Sequence, residues 1–532
     1  MQRHPLNRRR FLRTGIAFAG GALAPWRTFA QPRQATGATV MTSAGRVRGL
    51  RGDGVQTFKH IPYGASTAGA RRFLPPAAPV PWTGVRDTFE FGPRSPQALA
   101  RFVPEWQPLT GTEPLSADCL HLNVWTPDAS AGGKRPVMVW LHGGGYTGGS
   151  PAAKPYDGAN LARKHDVVCV SITHRLNAFG FLHLAEIGGE RYREATNVGL
   201  KDIIAGLHWI RDNVAAFGGD PGNVTIFGQS GGAGKVSTLL GMPAAQGLYQ
   251  RAAAQSGSAV TGMKSGAATE NAEKFLARLG LKPSTLDPLQ TLPVDQLIAA
   301  LPGFNTAPVV DGSALPHDVF DPTATALSTG IPLLIGSTET EVTWSVNTDY
   351  TPIADDDALA ARIARALHVD GAAARKVAAI YRDGRPSANR LDLALIVETD
   401  VSGFRRGTDL QAIRKAAAGR APVYMYRFDW YSPVSGGRLR AMHCMDIPFV
   451  FDNLETSAPM TGEGADRRPL ADAMSAAWVA FARTGDPNNK AMPTWKPFTA
   501  DARHTMMFGS EIRAAIDPHG AERRALSSND SG

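Results

Sequence analysis

The chain has 532 residues, 43% of them hydrophobic and 19% charged. That composition excludes a disordered or fibrous protein and leaves room for a large buried core. The formal charge is +9, but residues 1–30 hold six Arg and no acid, so the remainder carries +3, which argues against a nucleic-acid partner.

Residues 1–30 read as a bacterial twin-arginine export signal. Arg8 and Arg9 precede Phe11 and Leu12, a short Ala/Gly-rich apolar stretch follows, and small residues lead to Ala30. The apolar stretch is far too short to span a bilayer, and no other segment approaches that length. A mature chain beginning at Gln31 is therefore expected to be periplasmic or secreted, without a stable membrane anchor. The three cysteines, Cys119, Cys169 and Cys444, match no zinc spacing and allow at most one disulfide. Cys169, in "DVVCVSI", reads as core.

After the signal, "TVMTSAGRVRGL" and "GVQTFKHIPYG" read as short antiparallel strands, with turns at Ser43-Ala44-Gly45 and Gly52-Asp53-Gly54. The apolar, β-branched runs "LHLNVWTP", "RPVMVWL", "DVVCVSI", "NVTIFGQS" and "IPLLIGS" alternate with helical patterns such as "GLKDIIAGLHWIRDNVAAF". Such alternation predicts a mostly parallel sheet with helices on both faces and its chemistry at the carboxyl ends of the strands. Residues 31–520 read as one domain with a helical insertion at about 349–440. Residues 521–532 read as a flexible tail.

Two Gly-rich turns are candidates for chemistry. "VTIFGQSGGAGKVS" could be a phosphate-binding loop or a turn exposing a nucleophilic serine. The phosphate loop fails at both ends, because Gln229 stands where its first Gly belongs and Val236 where its Ser/Thr belongs. Gly228, Ser230 and Gly232 satisfy the nucleophile elbow, where small residues let strand and helix approach around a strained turn. Alone, that five-residue pattern is equally compatible with a structural turn. "LHGGGYTGG" follows the strand "RPVMVW", and consecutive glycines there let backbone N–H groups converge as an oxyanion hole. Gly144, Gly145 and Gly231 are its expected donors, and His142 is expected to organise the loop. A serine also needs a base and an acid to orient that base. With thirteen histidines in the chain, composition does not choose them.

Several stretches together resemble the type B carboxylesterases, the cholinesterase and para-nitrobenzyl esterase relatives. They are "FKHIPYG", "RRFLPP", "SADCLHLNVWTP", "PVMVWLHGGGYTGGS", "THRLNAFGFL", "NVGLKDIIAGLHWIRDNVAAFGGDPGNVTIFGQSGG", "AAAQSGS", "MHCMDIPFVFDNL" and "AWVAFARTGDPN". They run in family order from about residue 38 to 510. The resemblance implies an α/β-hydrolase fold and a serine carboxylesterase using neither metal nor cofactor on a small-molecule ester. It selects Glu341, five residues after Gly336, over its neighbour Glu339, which is expected to be solvated or supporting, as the acid, and His443 of "MHCMDIPF" as the base, completing a triad with Ser230. It places Ser256 and Gln229 behind these groups, and Tyr146 and Phe404 along a substrate pocket. The alternatives on the same fold are a bulky or carboxylate-bearing ester, an amide or a carbamate, and a binding protein without catalysis. Nothing in the sequence sets an oligomeric state.

The sequence also departs from the family pattern. Ser95 replaces the cysteine that would pair with Cys119, which is then expected to be a free, buried thiol. Cys444 replaces the glycine after the histidine. Gln229 stands before the nucleophile where Glu is usual, and Lys235 occupies a position that is usually small. Both changes shift local charge in the positive direction, against a choline-ester preference. Lys235 itself reads either as a group facing substrate or as one half of a buried ion pair. Arg405 and Arg406 could border a pocket mouth or lie on the surface.

Overall fold

In the computed structural model, residues 35–98 and 102–527 are described. The candidate export signal at 1–30 and residues 528–532 lie outside that range. Residues Arg135–Leu141 form a strand (β1) whose alternate side chains are covered on both faces. Val137, Val139 and Leu141 join one core cluster, while Met138 and Trp140 join the other. The same division by face holds in β2 (Val168–Ile172), β3 (Gly219–Gln229), β4 (Arg251–Gln255), β5 (Leu333–Thr338) and β6 (Val423–Phe428). With β7 (Thr505–Phe508) these strands run parallel in the order β2-β1-β3-β4-β5-β6-β7.

Five antiparallel strands extend both edges, and Val85–Asp87, paired parallel with Gly45–Gly52, completes a 13-stranded sheet. His121–Thr126, Val55–Pro62, Gly45–Gly52 and Ala35–Thr42 continue beyond β2, and Ile512–Ala515 continues beyond β7. The hairpin turn at Asp53-Gly54 takes φ of 48° and 77°, the doubly positive turn that matches strand twist.

Helices α1 (Val198–Asn213) and α2 (Gly231–Leu239) pack on the first face, supplying Leu200, Ile203, Leu207, Val236 and Leu239 to its core. Residues 356–417 form four helices: α3 (Asp356–Leu367), α4 (Gly371–Gly384), α5 (Arg390–Asp400) and α6 (Gly403–Ala417). Asp355, Asp370 and Asn389 cap the first three by accepting backbone N–H groups. The second face is covered by α7 (Arg467–Thr484), which buries Met474, Trp478 and Phe481.

The expected flexible tail is corrected in part. Gly520–Ser527 form a helix (α8), because Leu526 joins the insertion's core and buried Glu522 pairs with the guanidinium of Arg385. All three cysteines are buried and free.

Arg175, just after β2, is enclosed by protein and answered by Asp202 of α1. Nε–Oδ2 is 2.8 Å, Nη2–Oδ1 is 2.6 Å, and the Arg175 backbone N–H reaches the same carboxylate at 3.1 Å. Removing one partner strands a buried charge, so Asp202→Ala is expected to cost about 3–5 kcal/mol of stability. Denaturant unfolding should show a lower midpoint at unchanged slope. An unshifted midpoint would contradict this account of the pair.

Sheet order also places the site. The chain passes from β1 to β2 on one side and returns to β3 on the other. The loops after β1 and β3 therefore meet at the carboxyl edge, where open α/β sheets hold ligands.

Candidate active site

Ser230 ends β3 and begins α2 with φ 57° and ψ −124°, a conformation costly for any side chain but glycine. The surroundings enforce it. Its N–H donates to the Gln255 carbonyl at 2.8 Å, continuing the parallel ladder one residue past β3. The small residues around it are required by close approach: a Cβ at Gly232 would overlap the Leu141 carbonyl oxygen, and one at Gly231 the Gly145 carbonyl. Ser230 consequently faces the cavity from the positive end of α2.

The same edge brings Glu341 and His443 together. Thr340 and Met442 form an isolated parallel bridge, and the Thr340 N–H donates to the Ala441 carbonyl at 3.2 Å. The residues that follow are thereby set side by side, with His443 Nδ1 2.5 Å from Glu341 Oε2. The other carboxylate oxygen accepts the Thr338 N–H at 2.8 Å. Burial alone would push the Glu341 carboxyl up. The charge and hydrogen bond of His443 outweigh it, with Ser256 and Arg405 assisting, and hold it below its ordinary value. An ionised Glu341 only accepts, so Nδ1 of His443 donates to it, and Nε2 is the ring nitrogen left for proton transfer.

Ser256 stands behind the acid. Its Oγ has no hydrogen-bond partner of ordinary geometry, yet it lies near enough to help keep the carboxylate ionised. Arg405 lies at neither pocket mouth nor surface. It is buried, donates from Nη2 to the Thr338 carbonyl at 2.7 Å, and stands 3.5 Å from Asp400. Glu339 is buried as well and pairs with Arg385 at 3.3 Å, so it is not the acid that meets His443.

The cavity occupies about 950 Å³ and is lined by Ser230, His443, Gln229, Gly144, Gly145 and Gly231, with Tyr146 and Phe404 in its walls. Phe404 lies 4.3 Å, centroid to centroid, from the His443 ring. Two further aromatics flank the imidazole that sequence reasoning missed: Trp106 at 6.2 Å and Trp344 at 6.1 Å. Trp344 shares one short helical turn with Glu341, a proximity that the sequence displays. Trp106 sits in a short 3₁₀ helix, Pro104–Leu109, too brief for any periodicity to reveal. The lining contains one permanent cation, Arg94, and no carboxylate among the described residues.

Gln229 and Cys444 pack against the base. Gln229 Nε2 is 3.4 Å from Nδ1 and 3.3 Å from Nε2 of His443, so it cannot lie along both lone pairs, and Glu341 already engages Nδ1. Its carbonyl accepts the Cys444 thiol at 3.0 Å. Cys444 holds φ at 74°, the left-handed region that a glycine would occupy without strain.

The buried ion pair weighed for Lys235 is corrected. No carboxylate reaches Lys235 among the described residues. Its Nζ donates instead to the His142 and Gly145 carbonyls, at 3.0 and 2.9 Å. His142 organises the loop by donating from Nδ1 to the Gly143 carbonyl at 2.8 Å, and burial lowers its pKa to about 3, keeping it neutral.

A serine at a β3–α2 elbow, beside a Gly-rich loop after β1 and beneath an insertion, defines an α/β-hydrolase. Comparison with known proteins agrees. Residues 36–524 match the carboxylesterase family. The chain is 35% identical over 507 residues to the para-nitrobenzyl esterase of Bacillus subtilis strain 168, covering 92% of this chain and 98% of that one. It is 34% identical to the phenmedipham hydrolase of Pseudarthrobacter oxydans, over 88% and 94% of the two chains. Among solved structures, a carboxylesterase of Geobacillus stearothermophilus superposes with a TM-score of 0.78 at 39% identity, covering 92% of this chain and 99% of that one. The chain belongs to the carboxylesterase family and is a serine carboxylesterase.

Proposed function

We propose that Ser230, His443 and Glu341 carry out the hydrolysis, and that the cavity prefers uncharged or anionic esters over cationic ones. The carrying observation is the 2.5 Å contact between His443 Nδ1 and Glu341 Oε2, on a histidine that shares its cavity with Ser230 and three glycine amides.

Ser230 Oγ attacks the ester carbonyl carbon while His443 Nε2 takes its proton. Glu341 stabilises the imidazolium that forms. The carbonyl oxygen becomes an oxyanion held by the Gly144, Gly145 and Gly231 amides. As the C–O bond breaks, His443 returns the proton to the departing alkoxide. Water then repeats the sequence on the acyl-enzyme, releasing the carboxylic acid and restoring Ser230. Phe404, Trp106 and Trp344 keep the imidazole in an apolar setting and offer flat surfaces to an aromatic acyl or alcohol group.

Preference by charge follows from the lining. Among the described lining residues an ammonium substrate meets Arg94 and no carboxylate, and desolvation leaves it unpaired. Hydrolysis of para-nitrophenyl acetate and butyrate, with organophosphate labelling confined to Ser230, tests the chemistry. Butyrylcholine against its uncharged isostere 3,3-dimethylbutyl butyrate tests the preference, and kcat/KM should favour the isostere about tenfold. A label on another residue removes the assignment of Ser230, and a preference for butyrylcholine removes the electrostatic reading.

A further inference from the structure

Lys235 is a lysine enclosed by protein, with no acid beside it among the described residues. It lies on the second turn of α2, and burial lowers its amine to about 7. His142 and His174 are neutral neighbours, with His142 at about 3 and His174 well below its ordinary value, and the Tyr146 phenol is pushed up to about 12. The Tyr146 ring centroid lies 5.5 Å from Nζ. Burying an amine this way is unfavourable unless its N–H groups are used, and an apolar side chain of similar length would fill the same space without that cost.

Its N–H groups are used on the Gly-rich loop. Each carbonyl from His142 to Gly145 has a donor. Lys235 Nζ serves His142 and Gly145, His142 Nδ1 serves Gly143 at 2.8 Å, and the Gly148 N–H serves Gly144 at 3.0 Å. In a trans peptide the C=O and N–H point opposite ways. The Gly143 carbonyl held by His142 and the Gly144 carbonyl held by the loop's own Gly148 N–H therefore turn the next N–H groups, those of Gly144 and Gly145, the opposite way. Neither amide has an acceptor among the described residues, and both glycines line the cavity. Lys235 closes both ends of this run and keeps the Gly145 carbonyl against Gly231, where a Cβ would not fit.

We propose that Lys235 is a positioning residue for the oxyanion hole, clamping the His142 and Gly145 carbonyls so that the Gly144 and Gly145 amides are fixed toward the substrate carbonyl. This rests on the oxyanion-hole reading given above. Protonated or neutral, the amine retains enough N–H groups for both carbonyls. The clamp acts on the transition state more than on the ground state, because the amides must meet the oxyanion rather than the resting ester.

Lys235→Met keeps the length and removes the donors. Its kcat on para-nitrophenyl butyrate should fall about 10- to 100-fold, the scale of a slightly misplaced catalytic group, with KM changed less than about threefold. A trifluoromethyl ketone, which forms a tetrahedral oxyanion on the serine, should lose affinity by the same factor as kcat/KM. A folded Lys235→Met enzyme with kcat within twofold of wild type overturns the proposal. So does a kcat loss without loss of ketone affinity. If the methionine variant does not fold, Lys235→Ala is held to the same criteria. Ser230→Ala run in parallel separates the layers: activity surviving there overturns the site assignment, whereas full activity in the Lys235 variant alone overturns only the clamp.

Discussion

Ser230→Ala is expected to lower kcat for para-nitrophenyl butyrate about 10⁶-fold while leaving the fold intact, since removal of the nucleophile from a serine hydrolase disables the triad as a unit. The residual rate would come from the oxyanion amides and from binding alone. Structural damage should be small, because alanine removes one oxygen from a side chain that faces a cavity, and the strained φ of 57° becomes no worse. Activity and thermal unfolding measured on the same preparation check both halves. A variant retaining a hundredth of wild-type activity would mean that another group attacks the ester.

Glu341→Gln should cost about 10⁴-fold in kcat with KM little changed. A glutamine in place of the carboxylate offers an N–H where His443 Nδ1 needs an acceptor. The imidazole proton then shifts to Nε2, the atom that must accept from Ser230. The buried environment leaves few remedies, since the nearest groups to the ring are aromatic faces and the amide of Gln229. The substitution also predicts a pH signature in stability. Glu341 is held below its ordinary pKa in the folded state, so its ionisation stabilises the fold above the ordinary carboxyl range. That contribution is lost as pH falls through the lowered value. The stability difference between wild type and variant should shrink on acidification, and a difference constant from neutral to acid pH would refute the linkage.

The serine and the glycines that surround it were legible in the sequence because local geometry imposes them. A tight strand-to-helix turn tolerates only small residues beside the nucleophile, which leaves a pattern within five positions: Gly228, Ser230 and Gly232. The strands were legible for a similar reason. Each is covered on both faces, so its apolar run is continuous, as in "VMVWL" and "VVCVSI". Glu341 and His443 were found through resemblance to a family, because their pairing depends on a bridge between residues 340 and 442 that no local pattern encodes.

Long-range pairings decided the rest. Arg405 looks like surface charge in "GFRRG", but α6 carries it beneath the end of β5, where the Thr338 carbonyl and Asp400 receive it. Lys235 gives no sign in sequence of whether it meets an acid, and only the approach of the β1 loop to α2 gives it two backbone carbonyls instead. Trp106 reaches His443 from a short 3₁₀ helix, Pro104–Leu109, whose placement is set by what it packs against. The sequence by itself determined the sheet and the two Gly-rich turns that follow its strands, since these are enforced by backbone sterics and short-range periodicity. Only the tertiary structure decided which charge meets which partner, because hydrogen bonds to buried groups are made between elements far apart in the chain.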